Sequence, residues 1–279
     1  MRAGVDDFGS GCFKGFSCIV ISDDGAAKLE SRGRAALSSI GLAEFHGSEF
    51  DPSRETKAYE AFADAIRDSL LVDDAYAAFQ LCHQDLSREI FEEFAPRVAS
   101  QALSHLMNLV PDFVLSKAGA LFSLARDLGQ ITHCSGQIVG VQMDQSQEGD
   151  QQAGQERVGL SGTLGAILTD AADALVRLVN AYKRQRFPTG PEIGSLCVLD
   201  SRSSILVQAA DVLANFGVAY VKSRLRAGGG SSYRETEKSR IFASVIPSSA
   251  LPTGTLTVTS ASVLAGSRND NIRMEVQRW

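Results

Sequence analysis

Asp211 stands in a place where a carboxylate is costly to keep. It lies in the middle of residues 203–225, a segment otherwise dominated by Ile205, Leu206, Val207, Val212, Leu213 and Phe216. On a helix, Ser204, Gln208, Asp211 and Asn215 recur at steps of four, three and four, which puts them on one narrow stripe. A helix that is apolar over most of its circumference is buried, so such a stripe must face something polar inside the molecule. A buried ionised carboxylate persists only with a partner, a proton or a metal. A salt bridge to an arginine, or a stripe on the solvent side of a half-exposed helix, are the structural readings. A cation shared with other acids is the chemical one.

Other acids stand where they could join it. Asp200 closes the strand-like run "SLCVLD" (195–200) just before that helix, and "AGVDDFGSG" sets Asp6 and Asp7 in a first strand. The strand period of two sends these neighbours to opposite faces, so only one can enter a given site. Glu44 precedes a strongly amphipathic segment, with His46 two residues on. Magnesium and manganese are hard cations that take oxygen ligands and keep several waters, which a few carboxylates from different elements supply. Two such ions can activate a water and stabilise the leaving oxygen of a phosphodiester. Asp23 and Asp24 follow a strand and precede glycine, so a turn role is expected for them.

Stepping outward, residues 2–7 and 13–22 read as a β-hairpin around "FGSGC". A helix or irregular segment follows to Gly41, weakened by Gly33. "DPSRETKAYEAFADAIRDSLL" places Asp51 as N-cap and Pro52 at the first helical position, with Tyr59, Phe62, Ala63, Ile66 and Leu70 on one face. Strands are expected at 75–83, at 137–144 ending in Asp144, and at 195–200. Helices are expected at 86–109, 112–128, 162–186 and 203–225. Residues 145–157 are too polar to pack and read as an exposed loop. "RAGGGSSY" (226–233) reads as a linker, with β-like alternation at 241–246 and 255–259. The expected division is a core over 1–226 and a linker with a small β-rich appendage over 227–279.

Composition narrows the class. The 279 residues, 44% hydrophobic and 22% charged, suit one large α/β core with additions. No apolar run is long enough for a membrane span, and acids and glycines interrupt the N-terminus, so a cytoplasmic protein without a membrane partner is expected. Five cysteines without CxxC spacing and four histidines without HExxH give neither a disulfide framework nor a zinc motif. A net charge of −6 argues against non-specific coating of nucleic acid. It is compatible with a metal-dependent nuclease, where bound cations reverse the local field.

The set "VDDFG", "AEFHGSEF" and "VLDSRSSILVQAAD" resembles the bacterial family 3800 of domains of unknown function, whose members look like ribonuclease H-fold proteins. The likeness spans residues 1–225 and is most specific in the closing D-S-x-x-S…Q-x-A-D motif. Asp6 matches the first-strand aspartate, while Asp7 takes the place of the family's Glu and Phe8 that of its Ser. Glu44 and His46 match the E-x-H motif, and Asp200, Ser201, Ser204, Gln208 and Asp211 the closing one. The resemblance implies an α/β fold with a ribonuclease H-like mixed sheet flanked by helices, here carrying helical insertions, and with acids converging at one side. Such folds host both catalysts and proteins that have lost catalysis.

These readings lead to a Mg2+- or Mn2+-dependent nuclease acting on DNA or RNA. Asp6, Glu44, Asp200 and Asp211 are its expected ligands, and His46 orients water or contacts a phosphate. Lys183, Arg184, Arg186, Lys222, Arg224 and Arg226 are candidate contacts for a nucleic-acid backbone. Their alternative is a set of solvated helix ends. The competing reading is a non-catalytic interaction or sensor module of the same fold, and a protein partner or homo-oligomer stays open.

Overall fold

Two strands of nine residues each, β1 (Arg2–Ser10) and β2 (Phe13–Ile21), pair antiparallel and form the expected hairpin. In the computed structural model the described residues are 1–10, 13–70, 76–109, 111–129, 136–144, 161–225, 232–245, 261–266 and 274–276. β3 (Tyr76–His83) pairs antiparallel with β2, whereas β4 (Ile138–Asp144) runs parallel to β1, and β5 (Glu192–Leu199) parallel to β4. Two further strands, β6 (Ala261–Gly266) and β7 (Met274–Val276), extend the sheet beyond β3, giving the order β5-β4-β1-β2-β3-β6-β7. The sheet is therefore mixed, and helices cover both of its faces.

Strand alternation decides which residues meet which layer. Ala3, Val5, Phe16, Cys18, Val141 and Met143 face one side. That side is covered by α3 (Gln84–Phe94), α4 (Gln101–Leu109), α5 (Pro111–Leu128) and α6 (Ser161–Arg186). Ile19 and Ile21 face the other, under α1 (Asp23–Ile40), α2 (Thr56–Leu70), α7 (Ile205–Leu225) and α8 (Tyr233–Val245). The helix α7 crosses β1 and β2 with almost no gap. A Cβ on Gly4 would lie 2.3 Å from the Leu206 carbonyl oxygen, and the Ser17 hydroxyl donates to the Ala210 carbonyl.

Several local expectations change. Asp23 and Asp24 form the first turn of α1 rather than a free turn, because Ser22 caps it by accepting from the Gly25 N–H at 3.1 Å and acids favour a helix N-terminus. Asp51 does not start α2. Its carboxylate accepts from the Ser53 N–H at 2.9 Å and the Ser53 hydroxyl at 2.7 Å, closing a turn that delays the helix to Thr56. The single helix expected over 86–109 is broken by a 3-10 turn at Ala95–Arg97 and by Ala99, whose φ is 44°. Residues 241–245 belong to α8, not to a strand: Ile241, Phe242 and Val245 are buried at one-, three- and four-residue spacings, a helical stripe.

Residues 227–279, expected as linker and appendage, thus contribute α8, which packs on α7 and α2, and β6, which pairs with β3. The readings at 145–157, 226–231 and 255–259 lie outside the described residues. Among the described residues, no helix is long and apolar enough to cross a membrane.

The close seating of α7 gives a direct expectation. Gly4→Ala forces the methyl against backbone that cannot swing aside, and should destabilise the protein by about 1–3 kcal/mol in urea unfolding.

Candidate functional site

The parallel pairing of β1 with β4 sets Val5 opposite Met143, so the next residues, Asp6 in the middle of β1 and Asp144 at the carboxyl end of β4, lie on adjacent strands. Asp6 shares its face with Gly4 and looks toward α7; Asp7 points the other way, toward α5. There the Lys117 ammonium lies 2.8 Å from Asp7 Oδ1, and the Ser116 hydroxyl donates to Asp7 Oδ2. The lysine is only 1% exposed. Burial alone would lower its ammonium, but Asp7, Asp6 and Asp144 outweigh this and hold it above its ordinary value.

Asp6 has no such partner. It is 8% exposed and accepts no hydrogen bond among the described residues. Burial pushes its carboxyl well above the usual range, Asp211, Asp7 and Asp144 add to the rise, and Lys117 opposes it. Desolvated oxygen beside two further acids is an excess of acceptor capacity that a hard cation satisfies. In this respect the residues fit Mg2+ or Mn2+. Even so, among the described residues no three His, Cys, Asp or Glu side chains form a ready-made cation cage.

The polar stripe of α7 does face polar matter inside the protein. Ser204 donates to Gln142 Oε1 at 2.7 Å, tying α7 to β4. Gln208, fully buried, accepts from the Phe45 N–H and donates to the Ser201 carbonyl, both at 2.9 Å. Among the described residues Asp211 meets no arginine; instead its Oδ2 accepts from the Gly47 N–H at 2.6 Å and its Oδ1 from Asn215 Nδ2 at 2.6 Å. Gly47 has to be glycine for this approach, since a Cβ there would lie 2.6 Å from the Asn215 Cβ.

His46 Nδ1 lies 3.4 Å from Asp211 Oδ2. Its hydrogen bond with that carboxylate lifts the imidazole to about 9 against the opposing effect of burial, so His46 carries a proton at neutral pH. Tyr59 clamps the same residue, its hydroxyl accepting from the His46 N–H at 3.0 Å and donating to the His46 carbonyl at 3.1 Å.

The remaining expected ligands separate. Glu44 stands at the margin, its Oε2 accepting from the Ser201 hydroxyl at 2.9 Å. Asp200 is turned away: it caps the 3-10 turn Ser201–Ser203 by accepting from the Arg202 N–H at 3.0 Å, and it pairs with the Arg202 guanidinium. The arginine holds its carboxyl below the ordinary value. The strand-end position expected of Asp200 is taken by Asp144, one strand nearer the centre of the sheet. Asp144 and Lys117 are the residues that motif reasoning left out of the site.

The proposed backbone contacts are engaged elsewhere where they are described. Lys183 is buried and donates to the carbonyls of Phe187, Thr189 and Gly190, Arg184 pairs with Glu192, and Arg186 with Glu93. The side chains of Lys222 and Arg224, and all of Arg226, lie outside the described residues. In comparisons with known proteins, the chain matches no family model, no curated protein and no solved structure.

Asp6 and Asp211 should respond oppositely to amidation in the metal-free protein. The folded state holds the Asp6 proton more tightly than the unfolded chain does, so this residue costs stability as pH rises above its ordinary value of 3.8. Asp6→Asn removes that cost, and unfolding in a chelator should show a gain of about 1–3 kcal/mol at pH 7 that shrinks toward pH 4. Asp211→Asn weakens bonds from three donors and should lose about 1–2 kcal/mol.

Proposed function

We propose that this protein is a divalent-metal-dependent nuclease that hydrolyses phosphodiester bonds of DNA or RNA. The observation that carries the reading is Asp6, a buried carboxylate that accepts no hydrogen bond among the described residues, set beside Asp144 and under Asp211. The resemblance to family 3800, with its ribonuclease H-like fold, supports it. A mixed sheet flanked by helices, with acids converging at one side of it, is what that resemblance implies.

Asp6, Asp144 and Asp211 would hold Mg2+ or Mn2+, with Glu44 at the margin. The ion supplies an activated water and offsets charge on the leaving oxygen. The chain's own groups do the rest. His46, protonated and 41% exposed, is a donor for a phosphate oxygen at the mouth of the site. Lys117 neutralises Asp7 from behind, so Asp7 adds little repulsion to the cluster. Asp200, engaged by Arg202, belongs to the turn and not to the ligand set.

One observation favours a second reading, a non-catalytic module of the same fold. Both Asp211 oxygens are already occupied by Gly47 and Asn215, so the acid can serve purely to fasten the 44–47 segment onto α7. The two readings part on metal binding, because a ligand that binds only the native state raises its apparent stability.

The nuclease reading expects Mn2+ to raise the unfolding temperature of the wild type and to support cleavage of a mixed DNA and RNA panel. Asp6→Asn and Asp211→Asn should each lower that cleavage at least about a hundredfold, roughly 2.7 kcal/mol of barrier, while Asp200→Asn keeps most of it. Cleavage that survives Asp6→Asn, or a wild type indifferent to Mn2+, favours the second reading.

A further inference from the structure

The strand β5 ends the sheet, and its backbone groups divide between an inner side, toward β4, and an outer one. The Glu192 N–H donates to the Gln137 carbonyl at 3.2 Å, so Glu192 faces inward and Ile193, next along, faces outward. Asn180, from α6, fills that outward position. The Ile193 N–H donates to Asn180 Oδ1 at 3.2 Å, and Asn180 Nδ2 donates to the Ile193 carbonyl at 2.7 Å. A side-chain amide there takes the place of a neighbouring strand and closes the edge.

Past the irregularity at Gly194 the edge opens. The Gly140 N–H donates to the Met1 carbonyl at 3.1 Å, which turns Gly140 toward β1 and the following Val141 toward β5. In a parallel ladder a residue turned toward its neighbour lies opposite one turned away. Val141 and Met143 lie opposite Leu196 and Val198, so these two direct their N–H and C=O groups outward. They make no further hydrogen bond among the described residues. The open segment is 195–199, bounded by Asn180 on one side and by the 3-10 turn at Ser201–Ser203 on the other.

We propose that this edge is a self-association surface, on which a second copy of the chain adds its own β5 antiparallel about a two-fold axis at Cys197. Unpaired strand edges are templates for such addition. The proposal is independent of the metal-dependent reading, and three observations select a second copy as the occupant.

First, the register closes on itself. Residues 195–199 are centred on Cys197, and antiparallel pairing about that centre sets Leu196 of each copy opposite Val198 of the other. Every outward group of both residues then gains a partner. Second, the segment reads SLCVL, without a charge, so no like charges meet, and the half-buried Leu196, Val198 and Leu199 gain apolar neighbours. Third, the ends match. One end of the strand carries Glu192 paired with Arg184 at 2.6 Å, the other Asp200 paired with Arg202. Antiparallel addition lays each end beside the opposite end of the other copy, so each acid faces a base across the axis.

Cys197 is an exposed free thiol and reports the register. Opposed residues that exchange no hydrogen bonds stand about 4.5 Å apart at Cα, within the reach of a disulfide. The measurement is sedimentation of the full chain over about a hundredfold range of concentration, up to roughly 100 μM, because so short an edge makes an exchanging dimer. Oxidation with copper–phenanthroline, which takes one electron and one proton from each thiol, and mapping of the linked peptides follow.

The wild type should form a concentration-dependent dimer whose oxidised product is joined Cys197 to Cys197. Val198→Pro removes an outward N–H that β4 does not use. It should weaken the dimer about tenfold or more, since the axis counts each lost bond twice. Cys197→Lys sets like charges against each other at an exposed position and should weaken the dimer about fivefold. Its unfolding temperature should hold, so it decides the matter if the proline perturbs the strand. A wild type monomeric throughout, a dimer as stable in Cys197→Lys as in the wild type, or an oxidised product without the Cys197 link overturns the proposal.

Discussion

The arrangement of acids where mid-β1 meets the carboxyl end of β4 depends on how closely α7 lies on β1. Where Gly4 meets Leu206 there is no room for a side chain, and the Ser17 hydroxyl bonds the Ala210 carbonyl in the next turn. The helix is thereby fixed in height and rotation against the sheet. Within that turn, the same rotation brings Asp211 near Asp6 and turns Gln208 toward the 44–47 segment. Had the helix stood off by the width of a methyl group, the acids would be better hydrated and the buried polar bonds of the stripe would stretch. Packing and electrostatics at this site are one constraint.

The adjacent acids of β1 show two solutions to one problem of burial. Asp7, on the α5 face, is satisfied by Lys117 and Ser116, and such a pair is costly to break because the survivor would be an uncompensated buried charge. Asp6, on the α7 face, is surrounded by further acids, and it is the same Lys117, reached from across the strand, that opposes them. The backbone period of two makes this division unavoidable. A residue kept in the unfavourable half of such a pair calls for a reason beyond stability, because an asparagine or serine would fold at lower cost.

Much of this was legible in the sequence, and the failures have physical causes. The stripe through Ser204, Gln208, Asp211 and Asn215 was readable because charge in an apolar helix is a conflict that only tertiary structure resolves. The same signal was present in "VLSKAGALFSLA", where Lys117 interrupts an equally apolar helix. It lacked a motif to draw attention to it. Asp144 and Asp200 both end strand patterns. What separates them is Arg202, two residues beyond Asp200 and positioned by a 3-10 turn that pattern reasoning does not anticipate. The reading of a strand over 241–246 fails because a six-residue run with five apolar residues fits both periods, and length is what arbitrates.

The 44–47 segment has no regular structure, yet it is pinned by α7 at two backbone N–H groups, Phe45 to Gln208 and Gly47 to Asp211, and by Tyr59 from α2 at a third. A loop anchored through its own amides presents side chains from a fixed frame, which is how Glu44 and His46 come to stand beside acids from the sheet. The anchoring also sets a limit. Asp211 has two oxygens and at least three donors, so any cation it takes must share an oxygen with one of those donors or displace it. Binding at the cluster and fastening of the loop therefore draw on the same carboxylate. The loop's position and the state of the acids are coupled through Asp211, with no need for a longer path between them.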